Sequence, residues 1–232
     1  MKTFNHIKDR HFPEGYPEWI QIAIDDVVSE FLHKVSEKFD LSTINNIFDI
    51  GSLNGIESVK FTEKLNNVSV YTFEPNKESY NNVLISTEDN NNILVSKLAV
   101  SDFNGKSDFF ITYENMGGSS LLEPMLLNKT GYQNEKTEVD VVKLSDWCPQ
   151  NNIDSIDLMW MDTQGSELNI FKGMGDLLYT VKGIYVESSN IPYYHGAANK
   201  NDVIQYLSEY GLQLVHESYH DAYEGDFTFI RK

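Results

Sequence analysis

Cysteine is nearly missing from this chain: Cys148 is the single one in 232 residues. No intramolecular disulfide can form, every multi-cysteine zinc pattern is excluded, and packing is the expected role of the thiol. Basic side chains are also scarce. Eighteen Lys and Arg face 35 Asp and Glu, a formal net charge of −17, and a field of that sign repels phosphate backbones and anionic lipid surfaces. Nucleic acid and membrane are therefore not expected as partners, while neutral or cationic small molecules and uncharged glycans are. No apolar run is long enough to cross a bilayer. The opening MKTFNHIKDRHFPEG lacks the apolar stretch and small-residue cleavage site of a secretory signal, so a cytoplasmic location is the default. The sequons at Asn67 and Asn128 would matter only in a secreted chain. No internal repeat or low-complexity linker is present either.

What is there suffices for a core. Hydrophobic residues make up 41% and aromatics 12%, and the length suits one α/β domain carrying a helical arm. Pro17 can open a helix with apolar positions at helical spacing, Ile22, Val27, Phe31, Leu32 and Val35 among them. Residues 1–43 are therefore predicted as an N-terminal helical arm and 44–232 as the main domain, in a chain that is a monomer or a homodimer. From residue 44 short apolar runs alternate with helical patterns: INNIFDIG, GIESVKFTEKL, VSVYTFEP, KESYNNVLIS, NILVSKLAV. This βαβαβ order implies parallel strands. KSDFFITYE, NMGGSSL and EVDVVKLSDWC then read as additional strand and loop material. Alternation resumes at SIDLMWMD, and the chain closes with two strands, LQLVHES and DFTFIRK, with no helix between them.

In an open α/β sheet, ligands bind beyond the carboxyl ends of the strands. The polar residues expected there are Asp49, Gly51 and Gly55 after the first strand, Glu74 after the second, Ser101 and Asp102 after the third, Asp162 after the fourth and Glu187 after the fifth. Glycine after the first strand permits close backbone approach and positive φ. The spacing is G-x-x-x-G, with Leu53 where a dinucleotide fingerprint has its middle glycine. Glu74 can accept hydrogen bonds from ribose hydroxyls. NAD and S-adenosylmethionine both carry that ribose, so loop and acid together indicate adenosine without choosing a cofactor.

FDIGSLNG, YTFEPN, LAVSD, GGSSL, MWMDTQGSELNIFKGM and IYVES together resemble the FkbM family of S-adenosylmethionine-dependent methyltransferases, whose members mostly methylate hydroxyls, often on sugars. The likeness runs over roughly residues 44 to 216, and Asp162-Thr163-Gln164-Gly165-Ser166-Glu167 resembles the D-x-x-G-x-E turn of that family. Ser52 stands where the family has alanine and Leu53 where it has asparagine. The resemblance implies a Rossmann-like class I methyltransferase sheet of seven strands, mostly parallel with an antiparallel C-terminal hairpin. It also implies S-adenosyl-L-methionine as cofactor, with Asp49, Gly51, Ser52 and Gly55 against its methionine part, Glu74 on the ribose, Ser101 or Asp102 near adenine, and Asp162 beside the methyl-transfer centre.

The expected reaction is in-line methyl transfer to a hydroxyl of a sugar, glycan or glycosylated small molecule, assisted by a positioned base. Asp162 is the first candidate base and His195 the second, with Tyr193 and Tyr194 as faces for a sugar ring. His216 and His220, near the terminal hairpin, rank behind. Asp162 and Glu187 end adjacent strands and could share a divalent cation with Asn190 as a third ligand, although no clear ligand set is present. The turn from Gly117 to Ser120 is a candidate lid. An NAD-dependent oxidoreductase and a non-catalytic adenosine- or glycan-binding module are the alternatives.

Overall fold

Parallel strands buried on both faces read as unbroken apolar runs, and NIFDI and LMWM are of this kind. They are the two central strands. The structure, a computed structural model, describes residues 18–112, 116–125, 134–220 and 222–232. Its elements in chain order are α1 (Glu18–Ser36), β1 (Asn46–Ile50), α2 (Ile56–Lys64), β2 (Ser69–Phe73), α3 (Lys77–Ser86), β3 (Ile93–Ser96), β4 (Ala99–Val100), β5 (Gly105–Thr112), β6 (Asn134–Val142), α4 (Leu144–Gln150), β7 (Leu158–Met161), α5 (Glu167–Met174), β8 (Gly183–Ser189), α6 (Lys200–Glu209), β9 (Leu212–Tyr219) and β10 (Glu224–Arg231), with short 3-10 turns between some of them.

Seven strands form one sheet in the order β3-β2-β1-β7-β8-β10-β9. All neighbours are parallel except β10, which runs antiparallel to both β8 and β9. The chain walks outward from β1 to β3 and then returns to lay β7 on the other side of β1. The order of connection therefore reverses between β1 and β7, and a crevice opens at their carboxyl ends. Lys182 and Asp157 pair at 2.8 Å at the opposite ends of the strands, where Asp157 also accepts from the backbone N–H groups of Asn45 and Asn46.

Each face of the sheet carries its own core. On one, α1 and α2 contribute Ile24, Val28, Phe31, Val35 and Phe61 against Ile47, Trp160 and Tyr185. On the other, α4, α5 and α6 contribute Leu144, Cys148, Phe171, Met174 and Leu207 against Phe48, Met159 and Phe227. Cys148 is fully buried there, and burial pushes its thiol pKa up to about 12.

Two sequence expectations need correction. NILVSKLAV is not one strand. Ser96 ends β3 at the sheet edge, and Ala99–Val100 pairs instead with Val141 and Val142 of β6, in a separate three-stranded sheet ordered β4-β6-β5. An edge strand has a partner on one side only, so the chain leaves the main sheet without losing a second ladder. LSDWC, expected as strand or loop, is the helix α4; Leu144 and Cys148, four apart, share its buried face.

α1 packs through Phe31, whose ring meets Phe61, Trp160 and Tyr185 edge-on at centroid distances of 6.3, 5.9 and 6.1 Å. A fully buried Phe with three aromatic neighbours leaves a large void when truncated. Phe31→Ala is expected to destabilise the protein by about 3–5 kcal/mol in urea unfolding monitored by circular dichroism; a loss under about 1 kcal/mol would mean that α1 adds little to this core.

Candidate active site

The crevice begins with a steric requirement. Gly51 follows β1 at φ +82°, and a Cβ added there would lie 1.9 Å from the backbone oxygen of Asp162. No side chain fits. Gly51 donates its N–H to Phe73 O at 3.0 Å, and Asp162 donates to Ile50 O at 3.1 Å, so the loop after β1 is tied to β2 and β7 at once. Gly55, also at positive φ, opens α2 against Ser86 and Thr87.

Asp49 is buried, and its Oδ2 accepts from the hydroxyls of Ser52 at 2.8 Å and Ser58 at 2.6 Å. Both Asp49 and Ser52 are thus engaged in bracing the glycine loop; neither belongs to the cleft wall. Leu53 does, in the left-handed region at φ 56°. That conformation costs a residue with a Cβ roughly 1–2 kcal/mol, and it directs the Leu53 N–H to Glu74 Oε2 at 2.9 Å. Glu74 Oε1 accepts from the Asn76 N–H at 2.8 Å. Burial nevertheless pushes the Glu74 carboxyl up to about 7, and the charges of Asp49 and Asp162 add to the rise.

Around Glu74 lies an open cleft of about 620 Å³. One wall is apolar: Phe73 from the end of β2, Leu98 from the link between β3 and β4, and Val100, Phe109, Met116 and Leu121 from the second sheet and its connections. Asp162, Thr163 and Ser166 close the other side. The lining contains two carboxylates and no Lys or Arg among the described residues. Ser166 is 2% exposed, and its Oγ has no hydrogen-bond partner among the described residues. A buried hydroxyl left unpaired costs about 1–3 kcal/mol, which a polar ligand atom would recover. A flat apolar slot, a carboxylate at its mouth and an unpaired hydroxyl suit an adenosyl group with a polar tail.

The D-x-x-G-x-E turn is held by its own acids and by one amide. Glu167 Oε1 accepts from Thr163 Oγ1 at 3.0 Å and from the Gly165 N–H at 2.9 Å, yet burial pushes its carboxyl up to about 7. Gln164, in the left-handed region at φ 54°, donates from Nε2 to Asp162 Oδ1 and to Glu187 Oε1, both at 2.7 Å. The position between Asp162 and Glu187, where a shared divalent cation was considered without a clear ligand set, is spanned by a neutral donor, because a residue from the turn itself reaches both acids. Asn190, the expected third ligand, is exposed and spends its N–H on Tyr223 O. Gln164 Oε1 lies 2.9 Å from the Tyr194 hydroxyl, and Gln164 O accepts from Ser120 Oγ at 2.8 Å. The turn at Gly117–Ser120 is thereby pinned to the site: Gly117 and Ser119 line the cleft and Ser120 anchors them.

Other sequence expectations are redirected. Ser101 and Asp102 do not line the cleft. Ser101 donates its N–H to Val142 O in the second sheet, and its own oxygen backs onto Gly173 of α5, so the chain has already turned away; Asp102 is exposed. Leu98, Ala99 and Val100 take their place. His195 is exposed, its backbone N–H bonded to Glu123 O, while the neighbouring Tyr194 turns inward. His220, ranked low from the sequence, lies 2.5 Å from Asp226 and 3.7 Å from Glu187. Burial works against its charge, but the bond to Asp226 leaves its pKa raised overall. Gln164 was within the quoted turn; an amide between two acids was its only signal.

Residues 49–214 match the Methyltransferase FkbM domain. The chain belongs to the FkbM methyltransferase family. It is 26% identical over 177 residues, 72% of each chain, to the 2-O-methyltransferase NoeI of Sinorhizobium fredii. Its fold is similar to that of magnesium protoporphyrin IX methyltransferase ChlM from Synechocystis PCC 6803 with bound SAM, at a TM-score of 0.51 and 10% identity, covering 91% of this chain and 79% of the other. It is likewise similar to the N-terminal domain of EvdMO1 with SAH bound, again at 0.51 and 10%, covering 90% and 80%. As an FkbM protein with this sheet, the chain is an S-adenosylmethionine-dependent methyltransferase, the class I architecture expected from its sequence.

For this FkbM cleft, Glu74→Ala is expected to weaken S-adenosylmethionine binding by about 1–3 kcal/mol in isothermal titration, the worth of a hydrogen bond to a charged group. Unchanged affinity would remove Glu74 from the ribose. The raised carboxyls also give a pH dependence. Between the ordinary value of 4.5 and about 7, the folded state keeps protons that the unfolded chain has released, so stability falls as pH rises through that window. Thermal melts from pH 5 to 8 should show a declining Tm, and Glu167→Gln, which keeps an acceptor but cannot ionise, should flatten the decline; an identical slope in the variant would contradict the assignment.

Proposed function

We propose that this FkbM methyltransferase transfers a methyl group to a hydroxyl of a sugar, a glycan or a glycosylated small molecule. The observation that carries the reading is the pair of carboxylates Asp162 and Glu187 at neighbouring strand ends, held together by the Gln164 amide beside the cleft. Such a rim can take hydrogen bonds and a proton from a neutral alcohol. The likeness to NoeI, described as a 2-O-methyltransferase, favours oxygen as the acceptor atom.

When bound, S-adenosylmethionine supplies an electrophilic methyl group on a sulfonium. Glu74 would hold the ribose hydroxyls, and the backbone of Gly51 and Leu53 would border the amino-acid portion, braced from behind by Asp49 and Ser52. Gly55 holds the start of α2 in register with that loop. The Ser166 hydroxyl would bond a polar atom of the same ligand. Gln164 fixes Asp162 through Oδ1, and the carboxylate so oriented would receive the acceptor proton; a positioned base of this kind contributes about 10²- to 10⁴-fold. Glu187 would orient the acceptor through Gln164. The acidic, base-poor lining favours a sulfonium over the pyrophosphate of NAD.

Radiolabelled methyl transfer to a panel of hexosides tests the acceptor class. The expected product is a base-stable methyl ether; label in an ester or on nitrogen, or no transfer to any glycoside by protein that binds S-adenosylmethionine, would sink the reading. Asp162→Asn should lower kcat by about 10²- to 10⁴-fold. Its affinity for S-adenosylhomocysteine should stay within a few-fold of the parent, and a kcat reduced less than 10-fold would move the base elsewhere.

A further inference from the structure

Beyond the cleft, on the far side of Gln164, three side chains of metal-ligating type converge. Glu187 on β8 stands directly opposite Asp226 on β10 in the antiparallel ladder, so both carboxylates leave the same face of the sheet. His220, the first residue of the connection from β9 to β10, is placed over them by its own N–H, which donates to Glu224 O at 3.0 Å. Its Nδ1 lies 3.7 Å from Glu187 Oε2 and its Nε2 2.5 Å from Asp226 Oδ2. One ligand atom from each of the three fits within 4.8 Å, and all three side chains are less than 15% exposed.

We infer that Glu187, His220 and Asp226 form a binding site for a divalent first-row transition cation. Two features of the surroundings support it. One oxygen of Glu187 is held by the Gln164 amide, which leaves Oε2 on the side of His220. The buried Tyr185 hydroxyl, two residues before Glu187 on the same strand, is within electrostatic reach of Asp226. Neutral donors that orient ligating carboxylates from behind are the usual outer partners of a metal site.

The donor set selects the ion. One imidazole and two carboxylates suit Zn²⁺, Mn²⁺, Fe²⁺ or Co²⁺, whereas Mg²⁺ and Ca²⁺ take oxygen ligands throughout. Three protein ligands leave coordination positions open for water or for an acceptor hydroxyl. This site differs in place and composition from the Asp162–Glu187–Asn190 combination considered from the sequence, since Gln164 already spans the first pair. It is independent of the identity of the methyl acceptor, because it can be read without turnover.

Titration of the chain with Co²⁺ alone tests it. The expected result is a saturable visible absorption band at one equivalent, displaced by Zn²⁺ and unaffected by Mg²⁺. His220→Ala should weaken the Co²⁺ affinity by at least about 10-fold, the loss typical even of an outer partner. Tyr185→Phe retains the aromatic ring and with it the packing, and should weaken affinity by about 10-fold while S-adenosylmethionine binding persists. Crystals soaked in Zn²⁺ should show an anomalous peak about 2.0–2.2 Å from a His220 ring nitrogen. No saturable band in the parent chain, equal affinity in His220→Ala, or a peak confined to another carboxylate cluster would overturn the site.

Discussion

Two backbones cross too closely for a side chain where the carboxyl end of β1 meets that of β7, and the rest of the site is arranged about that contact. Gly51 lies against the Asp162 carbonyl, so the loop after β1 and the turn after β7 behave as one unit although 111 positions separate them in the chain. The crevice exists because strand order reverses there. Its floor is narrow because only glycine can occupy that position. Asp49, Ser52 and Ser58 brace the loop from below through bonds of 2.8 and 2.6 Å, which leaves Leu53 and Glu74 to face the ligand.

Among the described residues, the crevice is lined by two carboxylates and no Lys or Arg. Glu74 and Glu167 each accept two hydrogen bonds from the chain and are still pushed up to about 7 by burial. Backbone N–H groups compensate part of the desolvation of a carboxylate but not all of it. Leu53 and Gln164 both take up the left-handed region, and both are aimed at a carboxylate as a result: Leu53 through its N–H at Glu74, Gln164 through its side chain at Asp162 and Glu187. Backbone strain and unfavourable charge burial concentrate at this crevice, as they do at ligand sites in general.

Two additions to the seven-stranded sheet determine the shape of the cleft. α1 seals the face behind Trp160 and Tyr185, whose rings stack at 3.7 Å, and so supports the strands that carry Asp162 and Glu187. The small sheet of β4, β5 and β6 contributes Phe109 and, through its connections, Met116 and Leu121 as the apolar wall. Ser120 fastens that wall to Gln164. The candidate lid from Gly117 to Ser120 is in this way part of the same hydrogen-bonded unit as the turn from Asp162 to Glu167.

Local pattern carried much of this to the reader of the sequence. Strand and helix periodicity, the two glycines after β1, Glu74 after β2 and the D-x-x-G-x-E turn are properties of short segments, and each is determined by sterics or hydrogen bonding within a few residues. What periodicity could not supply was which side of a bend a side chain faces. Ser101 and Asp102 lie one and two residues past the cleft wall because β4 pairs with β6 rather than continuing β3, a choice made by a strand about forty positions away. The Gln164 bridge arises only when β8 is laid beside β7, and the cluster of Glu187, His220 and Asp226 only when β10 is inserted between β8 and β9. The sequence by itself determined the sheet, the cofactor loop and the family; tertiary structure decided which acids share a neighbour, because pairing in a sheet joins residues by register and not by distance along the chain.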